Sequence, residues 1–197
     1  MIKTLGVFSS SSDAVAPRFF AVAAEVGRLM AQRGITLVYG GGKIGLMGAT
    51  ARAVHLHGGR VVGVIPHYLR RLEVAYEAAD ELIVAKDLRE RKAIMEERAG
   101  GFLALPGGFG TLEEILEILT LKQLGQHAKP IVFLNLDGFY DPLFAQFDRL
   151  YQDGFTKPAY RDFYYAAPGP DEAFQHLETH RPPRSIEKWT FAKPDAE

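Results

Sequence analysis

Two glycine clusters, one arginine and one glutamate are the residues of this chain whose types and spacing point to chemistry. The first cluster reads Tyr39-Gly40-Gly41-Gly42-Lys43, the second Pro106-Gly107-Gly108-Phe109-Gly110-Thr111. Each leads from an apolar run into a helical pattern. Glycine lets a ligand approach the backbone. A helix N-terminus adds free N–H groups and a partial positive charge. Together these features predict a phosphate cradle, with Gly41 and Gly42 from the first loop and Gly108, Phe109, Gly110 and Thr111 from the second. The Thr111 hydroxyl is a further donor. Neither loop carries the Gly-Lys-Ser/Thr of a Walker sequence or a clean Gly-x-Gly-x-x-Gly fingerprint. Tight turns made for close packing are the competing reading. For one loop the two readings balance; two loops at matching positions favour the anion site.

Glu114 has a rival explanation. Thr111-Leu112-Glu113-Glu114 fits a capping box, with Thr111 as N-cap and Glu114 reaching back to its N–H. Local sequence alone favours that structural role. A carboxylate in a first helical turn is also held as an anion by the helix dipole. That suits a base, or a charge supporting a developing oxocarbenium ion, rather than a general acid. Ile115, Leu116 and Leu119 read as the buried stripe, leaving Glu113 and Glu117 solvated at i,i+4. Upstream, Asp87-Leu88-Arg89-Glu90-Arg91-Lys92 opens another helix, with Asp87 as N-cap and Glu90 as its box partner. Arg91 and Met95 share a face at i,i+4. An arginine fork binds a phosphate or sugar oxyanion, and Met95 is placed to touch a base. Spacing alone favours a solvated charge run.

The elements that must position these groups follow from hydrophobic pattern. Apolar runs at 5–8, 35–39, 60–65, 81–85, 101–105 and 130–134 mostly lack polar alternation, as strands buried on both faces do. Helical patterns fall between them at 17–33, 44–58, 87–99, 111–124 and 140–153. A weaker strand near 163–166 and a helix at 170–180 complete the series. Strand–helix alternation predicts an α/β, Rossmann-like doubly wound parallel sheet with helices on both faces. Ligands of such sheets bind beyond the carboxyl ends of the strands, where both glycine loops lie. Residues 1–180 read as one nucleotide-binding domain and residues 181–197 as a proline-containing tail.

Composition narrows the function classes. The net charge of −1 lacks the basic excess of a nucleic-acid binder. The absence of cysteine excludes disulfides and thiolate catalysis. The opening apolar run is too short for a secretory signal, and no stretch approaches the ~20 apolar residues of a spanning helix. These features predict a cytoplasmic protein with no membrane partner. The six histidines lack paired ligand spacing, so no metal site is expected. Phe139, Tyr140, Phe144 and Phe147 read as core packing.

Pro106-Gly107-Gly108-Phe109-Gly110-Thr111-Leu112-Glu113-Glu114 matches a PGGxGTxxE motif, with Arg91-Lys92 upstream. On these residues the chain resembles the LOG ("Lonely Guy") family of cytokinin riboside 5′-monophosphate phosphoribohydrolases, formerly labelled lysine decarboxylases. The resemblance runs from about Lys3 to about Ala167. It extends to Leu119-Thr120, Gln123-Leu124-Gly125-Gln126-His127, Lys129-Pro130 and Asn135-Leu136-Asp137-Gly138-Phe139-Tyr140. It implies hydrolysis of a nucleoside 5′-monophosphate to free base and ribose 5-phosphate without a cofactor, by a homodimer. Arg91 and Glu114 would be the catalytic pair, and Gly108 to Thr111 would hold the phosphate. Leu112 and Glu113 complete the motif, and Lys92, Thr120 and Glu73 would belong to the nucleotide site. The resemblance gives Glu114 both jobs, capping and chemistry. Three departures stand out. Ser9-Ser10-Ser11-Ser12 replaces a usual Cys-Gly-Ser-Ser, Leu88-Arg89 a usual Met-His, and Leu121 a frequent Trp. The last two bear on base preference or the dimer contact. A non-catalytic nucleotide-binding or carrier module on the same fold is the alternative, since fold does not fix function. Lysine decarboxylation normally needs a Schiff-base lysine for pyridoxal phosphate, and no lysine here has that setting.

Overall fold

The computed structural model describes residues 2–72 and 74–181. The residues after Arg181, and with them the expected tail, lie outside the described part. Seven parallel strands form one sheet: β1 (Thr4–Phe8), β2 (Thr36–Tyr39), β3 (Val61–Pro66), β4 (Glu81–Ala85), β5 (Phe102–Ala104), β6 (Ile131–Leu134) and β7 (Tyr165–Ala167). Their order is β4-β3-β2-β1-β5-β6-β7. The chain winds outward from β1 to β4, then crosses back to β5 and winds the other way. The direction reverses between β1 and β5, which makes the crevice at their carboxyl ends the expected ligand site.

Seven helices cover the sheet: α1 (Pro17–Gln32), α2 (Gly45–Leu56), α3 (His67–Arg71), α4 (Leu88–Arg98), α5 (Phe109–Gln123), α6 (Asp141–Gln152) and α7 (Pro170–Thr179). The two-residue period of the strands divides the core into two layers. Leu5, Val7, Leu37, Leu103 and Val132 point to α1, α2 and α7. Phe8, Val38, Phe102, Ala104 and Phe133 point to α4, α5 and α6. The strand and helix series predicted from the pattern is therefore present, with ends shifted by one or two residues. The five-residue α3 and the 3-10 turns at Leu136–Gly138 and Pro158–Phe163 have no counterpart in it. Of the aromatic cluster, Tyr140 and Phe147 are buried while Phe139 is exposed.

One boundary changes the chemistry. α5 begins at Phe109, with Gly108 as N-cap and no side chain among the described residues capping it. The T-x-x-E capping box does not form. The glycines allow the helix to start earlier, so Thr111 is its third residue and Glu114 lies in the second turn. Glu114 then faces the sheet along the stripe of Thr111, Ile115 and Ile118, all buried.

Candidate active site

A cavity of about 530 Å³ opens at the carboxyl ends of β1, β2, β3 and β5. Its polar end is built by α5. The first three N–H groups of a helix have no intrahelical acceptor, and here they belong to Phe109, Gly110 and Thr111. Gly108, Phe109, Gly110 and Thr111 all line the cavity, and no acidic residue occupies the first turn. This end can therefore take an anion.

The first glycine loop does a different job. The N-terminus of α2 is already occupied: Gly45 N donates to Asp13 Oδ1 at 2.8 Å, and Leu46 N to the Ser10 carbonyl at 2.9 Å. Gly40, Gly41 and Gly42 instead let other parts of the chain come close. A Cβ on Gly40 would sit 1.9 Å from Arg91 Nη2. Gly41 adopts φ +72°, and its carbonyl accepts Tyr76 N at 2.8 Å, while Lys43 N donates to the Val74 carbonyl at 2.8 Å. The 74–76 segment is thus strapped across the loop. His55 fixes the strap from behind, through hydrogen bonds of 3.0 Å to Tyr76 Oη and to Asp80 Oδ2. Gly40 and Gly42 line the cavity, but this loop is not a second free anion site.

Arg91 and Glu114 meet at the cavity wall, where Arg91 Nη1 donates to Glu114 Oε1. The residues are 8% and 9% exposed. Arg91 Nε donates to the Val64 carbonyl at 3.1 Å, which fixes the guanidinium to β3. The sequence brings the two together from separate helices. Asp87 caps α4 by accepting Glu90 N at 2.9 Å, and this start aims Arg91, one turn in, at the sheet. Burial raises the Glu114 carboxyl above its ordinary value, and Arg91 pulls it part of the way back. The result is a stronger base than an exposed glutamate, kept in place by a cation.

Part of the cavity lining is apolar, with Ile44, Met47, Ile65, Leu69 and Val74. These residues come from α2, β3, α3 and the strap, and no local pattern in the sequence joins them. The Ser9–Ser12 run lines the floor at the β1 exit.

Other predicted site residues lie elsewhere. Lys92 turns away from the cavity and pairs with Glu113 and Glu117 on α5. These two glutamates share a face as expected, but they clamp a lysine rather than only meeting solvent. Burial works against the Lys92 charge, yet the two carboxylates raise its pKa overall. Met95 is fully buried among residues between α4 and the sheet, out of reach of a ligand. Leu112 packs against that same core layer. Thr120 donates to the Leu116 carbonyl at 2.8 Å on an exposed face of α5. Glu73 lies outside the described residues.

A family model described as "Possible lysine decarboxylase" matches residues 47–177. Two cytokinin riboside 5′-monophosphate phosphoribohydrolases of Arabidopsis thaliana are similar to this chain. LOG5 is 43% identical over 180 residues, covering 91% of this chain and 79% of the relative. LOG7 is 44% identical over 181 residues, covering 91% and 83%. Among solved structures, the molybdenum cofactor binding protein of the phototrophic bacterium Rippkaea orientalis aligns with a TM-score of 0.70 at 22% identity. That alignment covers 91% of this chain and 97% of the other, a likeness of fold alone. With a family model matched over most of its length and relatives this similar, the chain belongs to the LOG family, whose model carries the lysine decarboxylase description.

Proposed function

We propose that this chain hydrolyses the N-glycosidic bond of adenosine 5′-monophosphate or an N6-substituted derivative, releasing free base and ribose 5-phosphate. One observation carries the reading: a buried, ion-paired carboxylate faces the same cavity as an uncapped helix N-terminus. The phosphate binds at Gly108–Thr111, and the base lies toward the apolar wall of Ile44, Met47, Ile65, Leu69 and Val74. That wall suits an apolar N6 substituent. The sugar then spans the gap beside Glu114.

In the reaction the C1′–N bond breaks and its electron pair leaves with the base, which takes a proton from solvent that is returned when Glu114 gives up the proton it takes from the attacking water. Glu114 supports the positive charge that develops on the ribose and takes a proton from the water that bonds to C1′. Its raised pKa makes it the better base, and Arg91 holds it in position. The first-turn dipole argument does not apply, since Glu114 lies a turn further in. We place the reaction in the cytoplasm and the active unit in a homodimer. The surface proposed for the second copy is the groove of about 470 Å³ between α5 and α6, which is bordered by Phe155, 79% exposed. No helix of the described residues is long and apolar enough to cross a membrane.

The test is base release from adenosine monophosphate and isopentenyladenosine monophosphate, by wild type and Glu114→Gln side by side. We expect release by the wild type and a loss of about 10²–10⁴-fold in the variant, the usual worth of a positioned acid–base group. Binding of both nucleotides without release would establish a nucleotide-binding module instead.

A further inference from the structure

Three buried side-chain hydroxyls find no hydrogen-bond partner among the described residues: those of Ser9, Tyr39 and Tyr160. Of these, only Ser9 lines the cavity that holds Arg91 and Glu114. Ser9 is the first residue past β1, at the point where the sheet reverses direction, and it is 8% exposed. Two of its neighbours accept local backbone hydrogen bonds. Ser10 Oγ accepts Ser12 N at 3.0 Å, and Ser12 Oγ accepts Ala14 N at 3.1 Å.

The backbone around Ser9 is pinned on both sides. The Phe8 carbonyl accepts Leu105 N at 2.9 Å, and the Ser10 carbonyl accepts Leu46 N at 2.9 Å. Only the side-chain torsion is left free. A buried hydroxyl without a partner costs the free protein stability. Its place on a cavity wall fits a group whose partner arrives with the ligand. Position selects the part of the ligand. Phosphate takes the α5 N-terminus and base takes the apolar wall, so the β1 exit between them meets the sugar. A serine hydroxyl both donates and accepts, as sugar hydroxyls do.

We infer that Ser9 contacts the substrate directly, hydrogen-bonding a sugar oxygen of the bound nucleotide. The inference rests on the proposed nucleotide site. Ribose 5-phosphate is the probe, because it carries the sugar and phosphate and is not turned over. Its affinity is measured by calorimetry for wild type, Ser9→Ala and Ser9→Cys, together with the melting temperature of each free protein. In Ser9→Ala we expect affinity to fall about 5–10-fold, as for one lost hydrogen bond. The free variant should melt at or above the wild-type temperature, since an unpartnered buried hydroxyl has been removed. Ser9→Cys, with a weak donor of similar size, should fall between the two in affinity. A purely structural role for Ser9 would lower the melting temperature and leave affinity unchanged. Unchanged affinity in Ser9→Ala overturns the inference while leaving the nucleotide site intact. No binding by the wild type overturns the nucleotide site and the inference with it.

Discussion

Replacing Arg91 by methionine should destabilise the protein in a way that depends on pH. Met keeps the apolar stem and removes the fork. Two groups then lose their partner: the Glu114 carboxylate and the Val64 carbonyl. The carbonyl contributes a pH-independent cost of about 1 kcal/mol. The carboxylate has two choices, to stay charged in a buried site or to take up a proton. The second sets the ceiling. Keeping a glutamate of ordinary pKa 4.5 neutral costs about 1.4 kcal/mol per pH unit above that value. That amounts to about 3 kcal/mol at pH 7 and under about 1 kcal/mol at pH 5. The total loss in Arg91→Met is then at most about 4 kcal/mol at pH 7 and about 2 kcal/mol at pH 5, smaller by whatever the already raised Glu114 pKa costs the wild type. The sign follows from linkage. A folded carboxyl with a raised pKa binds more protons than the unfolded one, so stability falls as pH rises through the gap between them. Urea unfolding followed by far-UV circular dichroism at pH 5, 6 and 7 measures it. The double variant Arg91→Met/Glu114→Gln has no carboxyl to titrate. It should lose the pH dependence and regain up to about 3 kcal/mol at pH 7. An equal loss at pH 5 and pH 7 in the single variant would refute the reasoning, because it would mean that Glu114 is solvated once Arg91 is gone.

Two further perturbations test other parts of the structure. Lys122 is buried, and its Nζ donates to the carbonyls of Lys129 and Phe163, each at 2.9 Å. Burial lowers its pKa from 10.5 to about 8. Between those values the unfolded chain binds more protons, so this lysine should make stability rise with pH by up to about 3 kcal/mol. Lys122→Met should lack that rise in urea titrations at pH 7.5 and 10. Gly40→Ala would drive a methyl against Arg91 Nη2. The obstacle is the tip of a flexible side chain, so the fold should hold, with an unchanged far-UV spectrum. Arg91 must move off Glu114, however, and base release should fall by about 10²-fold, the scale of a misplaced catalytic group.

The sheet was readable because most of its strands are buried on both faces. Runs such as Ile131-Val132-Phe133-Leu134 have no polar alternation, and only a covered parallel sheet accommodates many of them. The helix start at the second glycine loop was read two residues late. Thr111 and Glu114 satisfy the capping-box pattern as letters, but Gly108 takes the N-cap. A glycine there has no side chain to cap with and leaves the first N–H groups facing the cavity. The local rule failed where a cap would compete with an anion for the same donors.

The same logic separates what was legible in the site from what was not. Arg91 and Glu114 stand in motifs, yet spacing alone put Arg91 in a solvated charge run and gave Glu114 the part of a helix cap. Burial of the pair depends on the crossover helix α4 and the following helix α5 packing on the same face of the sheet, and that contact joins residues 23 positions apart. Lys92 shows the reverse case. It adjoins Arg91 in sequence, but one helical step rotates it by about 100°, onto Glu113 and Glu117 and away from the cavity. The apolar wall was invisible for a related reason, since Ile44, Met47, Ile65, Leu69 and Val74 form a surface only after α2, β3 and α3 are assembled. Local patterns thus report elements and caps, whereas the direction of a side chain relative to the ligand is a property of packing. The first glycine loop is the clearest instance. Its glycines read as an anion cradle, and what approaches that backbone is Arg91 on one side and the 74–76 strap on the other. Glycine marks a place where something comes close, and the assembled fold decides whether that is a phosphate or another part of the chain.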